Sequence, residues 1–158
     1  MITKNIKNDG ECILTMFSRF FTKTYNKLSF EDIQFAQQNK GQFILINTLP
    51  TNEQSCLIPH TLPYIDEEQL LNNLLTSYEF GTKKIIVYGR NANDESVITK
   101  YNQLTSLGFQ SVYLYAGGLF EWLLLQDIYG KEEFPTTTRL LDILKHKPQR
   151  TFGGYLLL

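Results

Sequence analysis

Hydrophobic positions along this chain form two kinds of run. Short unbroken apolar stretches occur at Phe43-Ile44-Leu45-Ile46, Ile85-Ile86-Val87-Tyr88 and Val112 to Tyr115. Their length and their β-branched or aromatic content suit strands buried on both faces. Between them, apolar residues recur at helical spacing. Ser29-Phe30-Glu31-Asp32 fits a capping box, with Ser29 as N-cap, and opens a helix through Ile33, Phe35 and Ala36 that stops near Gly41. A second helix, capped by Asp66, presents Leu70, Leu71, Leu74, Leu75 and Tyr78 on one face and ends at Gly81. A third, from about Glu95 to Leu107, presents Val97, Ile98, Tyr101, Leu104 and Leu107, and Gly108 terminates it. A fourth follows the tight turn at Gly117-Gly118 with Phe120, Trp122, Leu123 and Leu124. A last helix is predicted over Thr136 to Lys145, and Thr61 to Ile65 reads as a further short strand.

Strands alternating with helices imply an α/β domain built on a parallel sheet of about five strands with helices on both faces. At 158 residues, one domain is expected. We divide the chain into an N-terminal helical extension (1–27), the α/β domain (28–150) and an apolar C-terminal tail (151–158). In the extension, Ile13, Met16, Phe17, Phe20 and Phe21 recur at helical spacing. A helix packed on the domain is favoured there over a membrane-surface or partner-binding helix, because the basic face is thin. The tail's Tyr155 to Leu158 is read as packing back on the domain or serving a neighbouring chain.

Composition narrows the chemistry. A net charge of −1 gives no electrostatic case for nucleic acid or for an anionic membrane. Two cysteines, Cys12 and Cys56, make neither a disulfide framework nor a Cys-x-x-Cys pair, and with His60 and His146 the only histidines no metal site is expected. The first residues are polar and lack the apolar run of a signal peptide, and the longest apolar cluster, around Leu119 to Leu125, is too short to span a bilayer. A cytoplasmic protein without cofactor is the resulting expectation.

The loop from Gly89 to Ser96 joins a buried strand to a helix N-terminus, a favoured place for an anion or a nucleophile. Its residues are Gly89, Arg90, Asn91, Ala92, Asn93, Asp94, Glu95 and Ser96. Asn91, Asn93 and Asp94 are turn and cap formers, Asp94 and Glu95 suit a helix start, and Ser96 reads as a first-turn residue. Arg90 is the loop's one cation and reads as a solvated surface charge. Elsewhere, Cys56 stands close in sequence to His60, so a Cys–His pair is an alternative nucleophile; most free cysteines, however, are buried and inert.

Four segments carry a family resemblance. Leu28-Ser29-Phe30-Glu31-Asp32-Ile33 resembles the opening strand-to-helix step of rhodanese-like domains. Phe43 to Asn47 resembles their second strand, which commonly ends in Asp-x-Arg where this chain has Asn47-Thr48-Leu49. Leu57-Ile58-Pro59-His60-Thr61 is similar to their His-Ile-Pro-Gly-Ala step. The most specific match runs from Leu107-Gly108-Phe109 through Val112-Tyr113 to Gly117-Gly118 and Glu121-Trp122, similar to a Gly-Phe-x-x-Val-x-x-Leu-x-Gly-Gly-x-x-x-Trp run. The resemblance covers roughly Leu28 to Pro135 and implies a three-layer rhodanese-like sandwich.

In active members of that family, the strand matching Ile85 to Tyr88 ends in a nucleophilic cysteine whose sulfur is held by loop amides, and the related phosphatases add an arginine at the loop's far end. Here the resemblance puts Gly89 at the cysteine position and Asp94-Glu95 at the far end, and the loop contains no cysteine. The expectation is therefore a non-catalytic rhodanese-like domain, an interaction or regulatory module with an unknown protein partner or a second copy of itself. Two alternatives remain: a sulfurtransferase or phosphatase-like enzyme using Cys56, and a small-anion binder at the loop.

Overall fold

Strict alternation along the buried strands divides their side chains between two cores, one on each face of a single sheet. The structure, a computed structural model, describes residues 23–152. Strands β1 (Lys27–Leu28), β2 (Phe43–Asn47), β3 (Lys84–Tyr88) and β4 (Val112–Tyr115) pair in parallel in the order β1-β4-β3-β2. Leu45, Ile86, Tyr88 and Tyr115 face helices α1 (Phe30–Gln38) and α4 (Gly118–Tyr129), packing with Ile33, Ala36, Leu119, Trp122 and Leu123. Ile46, Ile85, Val87, Val112 and Leu114 face α2 (Tyr64–Thr76) and α3 (Glu95–Ser106), packing with Leu71, Leu74, Val97, Tyr101 and Leu104. The result is the expected three-layer α/β arrangement.

Local chemistry fixes the helix ends. Asp32 accepts the Ser29 backbone N–H at 2.9 Å, closing the predicted capping box at α1. Asp94 caps α3 through the Ser96 N–H, and Gly108 follows it at φ 103, a conformation that suits glycine. Trp122 is fully buried and its indole N–H donates to the Pro135 carbonyl at 2.8 Å, which makes it a core anchor.

Several elements differ from the sequence reading. The sheet has four strands among the described residues, because Thr61 makes only an isolated bridge to Leu45. Leu62 still donates its N–H to Leu45 O at 2.7 Å, but Pro63, which lacks an N–H, comes next and α2 starts at Tyr64, so Pro63 and not Asp66 is its N-cap. Helix α2 ends at Thr76, well before Gly81, and Tyr78 stands exposed at φ 56 rather than on the buried face. Leu107 is likewise exposed.

The predicted helix over Thr136 to Lys145 is an irregular strap whose one regular piece is a 3₁₀ turn, Ile143–His146. Its first residues are drawn out along Ser55 to Leu57: the Thr137 N–H donates to Leu57 O at 2.9 Å and the Thr138 hydroxyl to Ser55 O at 2.8 Å. β-Branched threonines and backbone bonds to a neighbouring segment outweigh the leucine spacing there. The predicted N-terminal helix over 12–21 and the tail at 155–158 lie outside the described residues.

Candidate active-site loop

Strand β3 delivers Gly89 to the carboxyl edge of the sheet, buried between the two neighbouring strand ends. The first turn of α4 then ties the loop down. The Leu119 N–H donates to Gly89 O and the Phe120 N–H to Arg90 O, both at 2.9 Å. This close approach needs Gly118, which sits at φ 64 and whose Cβ, if present, would lie 2.6 Å from Gly89 O.

Inside the loop is a carboxylate. Asp94 Oδ2 accepts the Arg90 N–H at 2.8 Å, while Oδ1 accepts the Ser96 N–H at 3.1 Å and lies 2.5 Å from the Ser96 hydroxyl. That hydroxyl is also 2.7 Å from Thr48 Oγ1. The side chain of Asn91 accepts the Asn93 N–H at 3.0 Å, an Asx turn that shapes the middle of the loop. The loop is therefore wrapped around its own anion at the positive end of α3. A Cβ on Gly89 would fall 2.5 Å from Asp94 Oδ2, 2.5 Å from Val97 Cγ2 and 2.8 Å from Thr48 Oγ1.

Arg90 is not the solvated charge read from the sequence. Its guanidinium grips Glu53 in a fork, with Nε 3.1 Å from Oε2 and Nη2 2.8 Å from Oε1. His146 stands behind this pair, buried, with Nδ1 4.0 Å from Glu53 Oε2 and without a hydrogen-bond partner. Burial lowers the imidazole pKa, Lys145 and Arg90 lower it further, and Glu53 and Asp142 oppose. The His146 carbonyl accepts the Asn91 side-chain N–H at 2.8 Å. Beyond this cluster a cleft of about 390 Å³ opens, lined by Arg90, Asn93, Glu95 and Ser96 of the loop and by Lys147 and Gln149, which continue the strap past its 3₁₀ turn.

Glu53 and His146 were not singled out from the sequence. Glu53 lies in an unpatterned loop and His146 one residue beyond the helix expected over Thr136 to Lys145, and no local signal joins either to Arg90 or Asn91. The other candidates lie apart from the loop's interior. Cys56 is buried in the α1/α4 core, 3.3 Å from the Thr138 carbonyl, whereas His60 is exposed at φ 62; among the described residues the two share no hydrogen bond. Asn47 accepts the Leu49 N–H at 3.1 Å, and Leu49 is itself buried in the core where the family commonly has arginine. Tyr88, next to Gly89, is buried with its hydroxyl 2.6 Å from Thr61 Oγ1 and taking the Ile58 N–H at 3.3 Å; burial pushes the phenol well above its ordinary range.

A family model described as "Rhodanese-like domain" matches residues 36–125, from within α1 to within α4. The chain belongs to the rhodanese-like domain family. Solved structures agree on the fold of this rhodanese-like chain. The Alr3790 protein from Anabaena sp. is 23% identical, with a TM-score of 0.51 over 75% of this chain and 97% of that one. A yeast protein tyrosine phosphatase of the Rhodanese family is 17% identical, with a TM-score of 0.53 over 77% and 99%. A full-length protein from Lactobacillus plantarum is 18% identical, with a TM-score of 0.50 over 82% and 98%. None of the curated proteins matches the chain. Among the described residues no helix is long and apolar enough to cross a membrane.

Proposed function

We propose that this rhodanese-like domain is non-catalytic and acts as an interaction or regulatory module. The reading rests above all on Asp94, whose carboxylate takes the amides of Arg90 and Ser96 beside a Gly89 that has no side chain to offer. A sulfurtransferase or phosphatase of this architecture needs a thiolate at the strand end and free amides to receive the transferred group. Arg90 is committed to Glu53, which leaves the loop without a cation to hold an oxyanion. The burial of Cys56 and its contact with the Thr138 carbonyl weigh against its use as a substitute nucleophile. The same filled amides weigh against a small-anion site. We assign the protein to the cytoplasm, with a protein partner or a second copy meeting the loop and the cleft beside it.

Two assays test this reading: sulfur transfer from thiosulfate to cyanide, and hydrolysis of p-nitrophenyl phosphate. Both are expected to run at the buffer rate. Turnover above that rate in either assay overturns the reading, and loss of it in Cys56→Ser would then assign the thiol.

A further inference from the structure

The end of the strap that closes over the loop, residues 142–149, carries one buried residue. Beyond Thr136, His146 is the only buried residue of the described chain. Its carbonyl receives Asn91, and its ring lies behind the Glu53–Arg90 pair. Leu141 and Leu144 are exposed and contribute little to holding the strap down, and Ile143 packs on the α1/α4 core while only partly buried. We propose that the strap, residues 142–149, is an acid-released latch: protonation of His146 detaches it from the loop Gly89 to Ser96 and opens the cleft between them.

The geometry supplies the reason. Glu53 is the nearby carboxylate, but its oxygens already receive three hydrogen bonds from Arg90, and at 4.0 Å Oε2 is beyond hydrogen-bonding reach of Nδ1. A charged ring would stand buried beside the Arg90 guanidinium, with Lys145 also opposing it; Glu53 and Asp142 would favour it. From α4, which also packs against this turn, no charged side chain acts on the ring. The closed strap thus favours neutral imidazole, while an open strap gives the ring to water, where its pKa is about 6.5. The closed state binds fewer protons than the open one, so closure is fully present above about pH 6.5 and weakens as pH falls, until the lowered pKa of the closed state is passed. The proposal concerns access to the loop and does not depend on the loop being non-catalytic.

The test is amide hydrogen exchange on the whole chain between pH 8 and pH 5, corrected for intrinsic exchange, together with the NMR titration of His146. Protection at residues 143–147 should fall by about tenfold for each pH unit below about 6.5, while β3 and α3 keep theirs. His146→Gln should remove the pH dependence. Three results would overturn the proposal: strap protection that does not change with pH, loss shared equally by β3 and α3, or a directly measured His146 pKa at or above 6.5 in the wild type. The last needs no variant and so holds even if His146→Gln fails to fold.

Discussion

Asp94 Oδ2 lies 2.5 Å from the point where a side chain on Gly89 would begin. The two residues exclude one another: the carboxylate has its seat only because residue 89 ends at Cα. Replacing the missing cysteine therefore does not by itself restore a reactive loop. Gly89→Cys should destabilise the domain by roughly 1–3 kcal/mol through overpacking. It should also fail to take sulfur from thiosulfate, because the amides that would hold a thiolate stay on Asp94. Adding Asp94→Ala frees the Arg90 amide and one side of the seat, although the Val97 methyl at 2.5 Å still has to shift. The double variant is expected to gain the mass of one sulfur atom on incubation with thiosulfate, read by intact-protein mass spectrometry. Sulfur loading by the single variant would show that the carboxylate yields, and the exclusion would be wrong.

Gly118 is the counterpart from the other side of the loop. Its φ of 64 and the 2.6 Å from its absent Cβ to Gly89 O mean that Gly118→Ala adds left-handed strain to a clash with backbone that cannot rotate away. The cost should be about 2 kcal/mol or more, seen as a lower urea midpoint. In NMR spectra the largest shifts should fall at Leu119 and Phe120, whose amides hold the loop carbonyls. A cost near zero would place the α4 turn farther from Gly89 than described.

The part of this architecture that was legible in the sequence is local. Val, Ile and Leu runs announced β2, β3 and β4; Ser29, Asp94 and Gly108 marked helix ends because a cap acts within a few residues of itself. The helix predicted over Thr136 to Lys145 failed for a non-local reason. Leu140, Leu141, Ile143 and Leu144 have helical spacing, but Thr137 and Thr138 are held by Ser55 and Leu57, far away in the chain. The site was half legible. Asp94 as the cap of the helix after the loop followed from its place at a helix start, whereas Glu53 and His146 reach Arg90 and Asn91 only through the folded chain.

Tyr88 offers a test of how the strand before the loop is held. Its hydroxyl is the acceptor for the buried Ile58 N–H, whereas Thr61 retains a second partner in Ile58 O at 2.6 Å. Tyr88→Phe therefore orphans one buried amide, and a loss of about 1–3 kcal/mol is expected in calorimetry or urea unfolding. Thr61→Val in the same background should add less than it does alone, because the hydroxyl it shares with Tyr88 is already gone. Strict additivity of the two changes would mean that the Thr61–Tyr88 contact contributes nothing.

Cys56 decides between a domain with no usable thiol and one with a displaced nucleophile. The residue is buried among Leu49, Ile58 and Tyr88 in the α1/α4 core, and its sulfur faces the Thr138 carbonyl. Reagents must wait for that core to open, so access is governed by the opening equilibrium and not by the reactivity of a thiolate. In a Cys12→Ser background, modification of Cys56 by a bulky aromatic disulfide should be at least about a hundredfold slower than in the urea-unfolded chain. Its rate should rise with added denaturant in step with local opening. Cys56→Ala should leave any partner binding unchanged while lowering stability through the small cavity it leaves. Rapid stoichiometric labelling in native buffer, at a rate that added denaturant does not change, is the result that would return Cys56 to the list of nucleophiles.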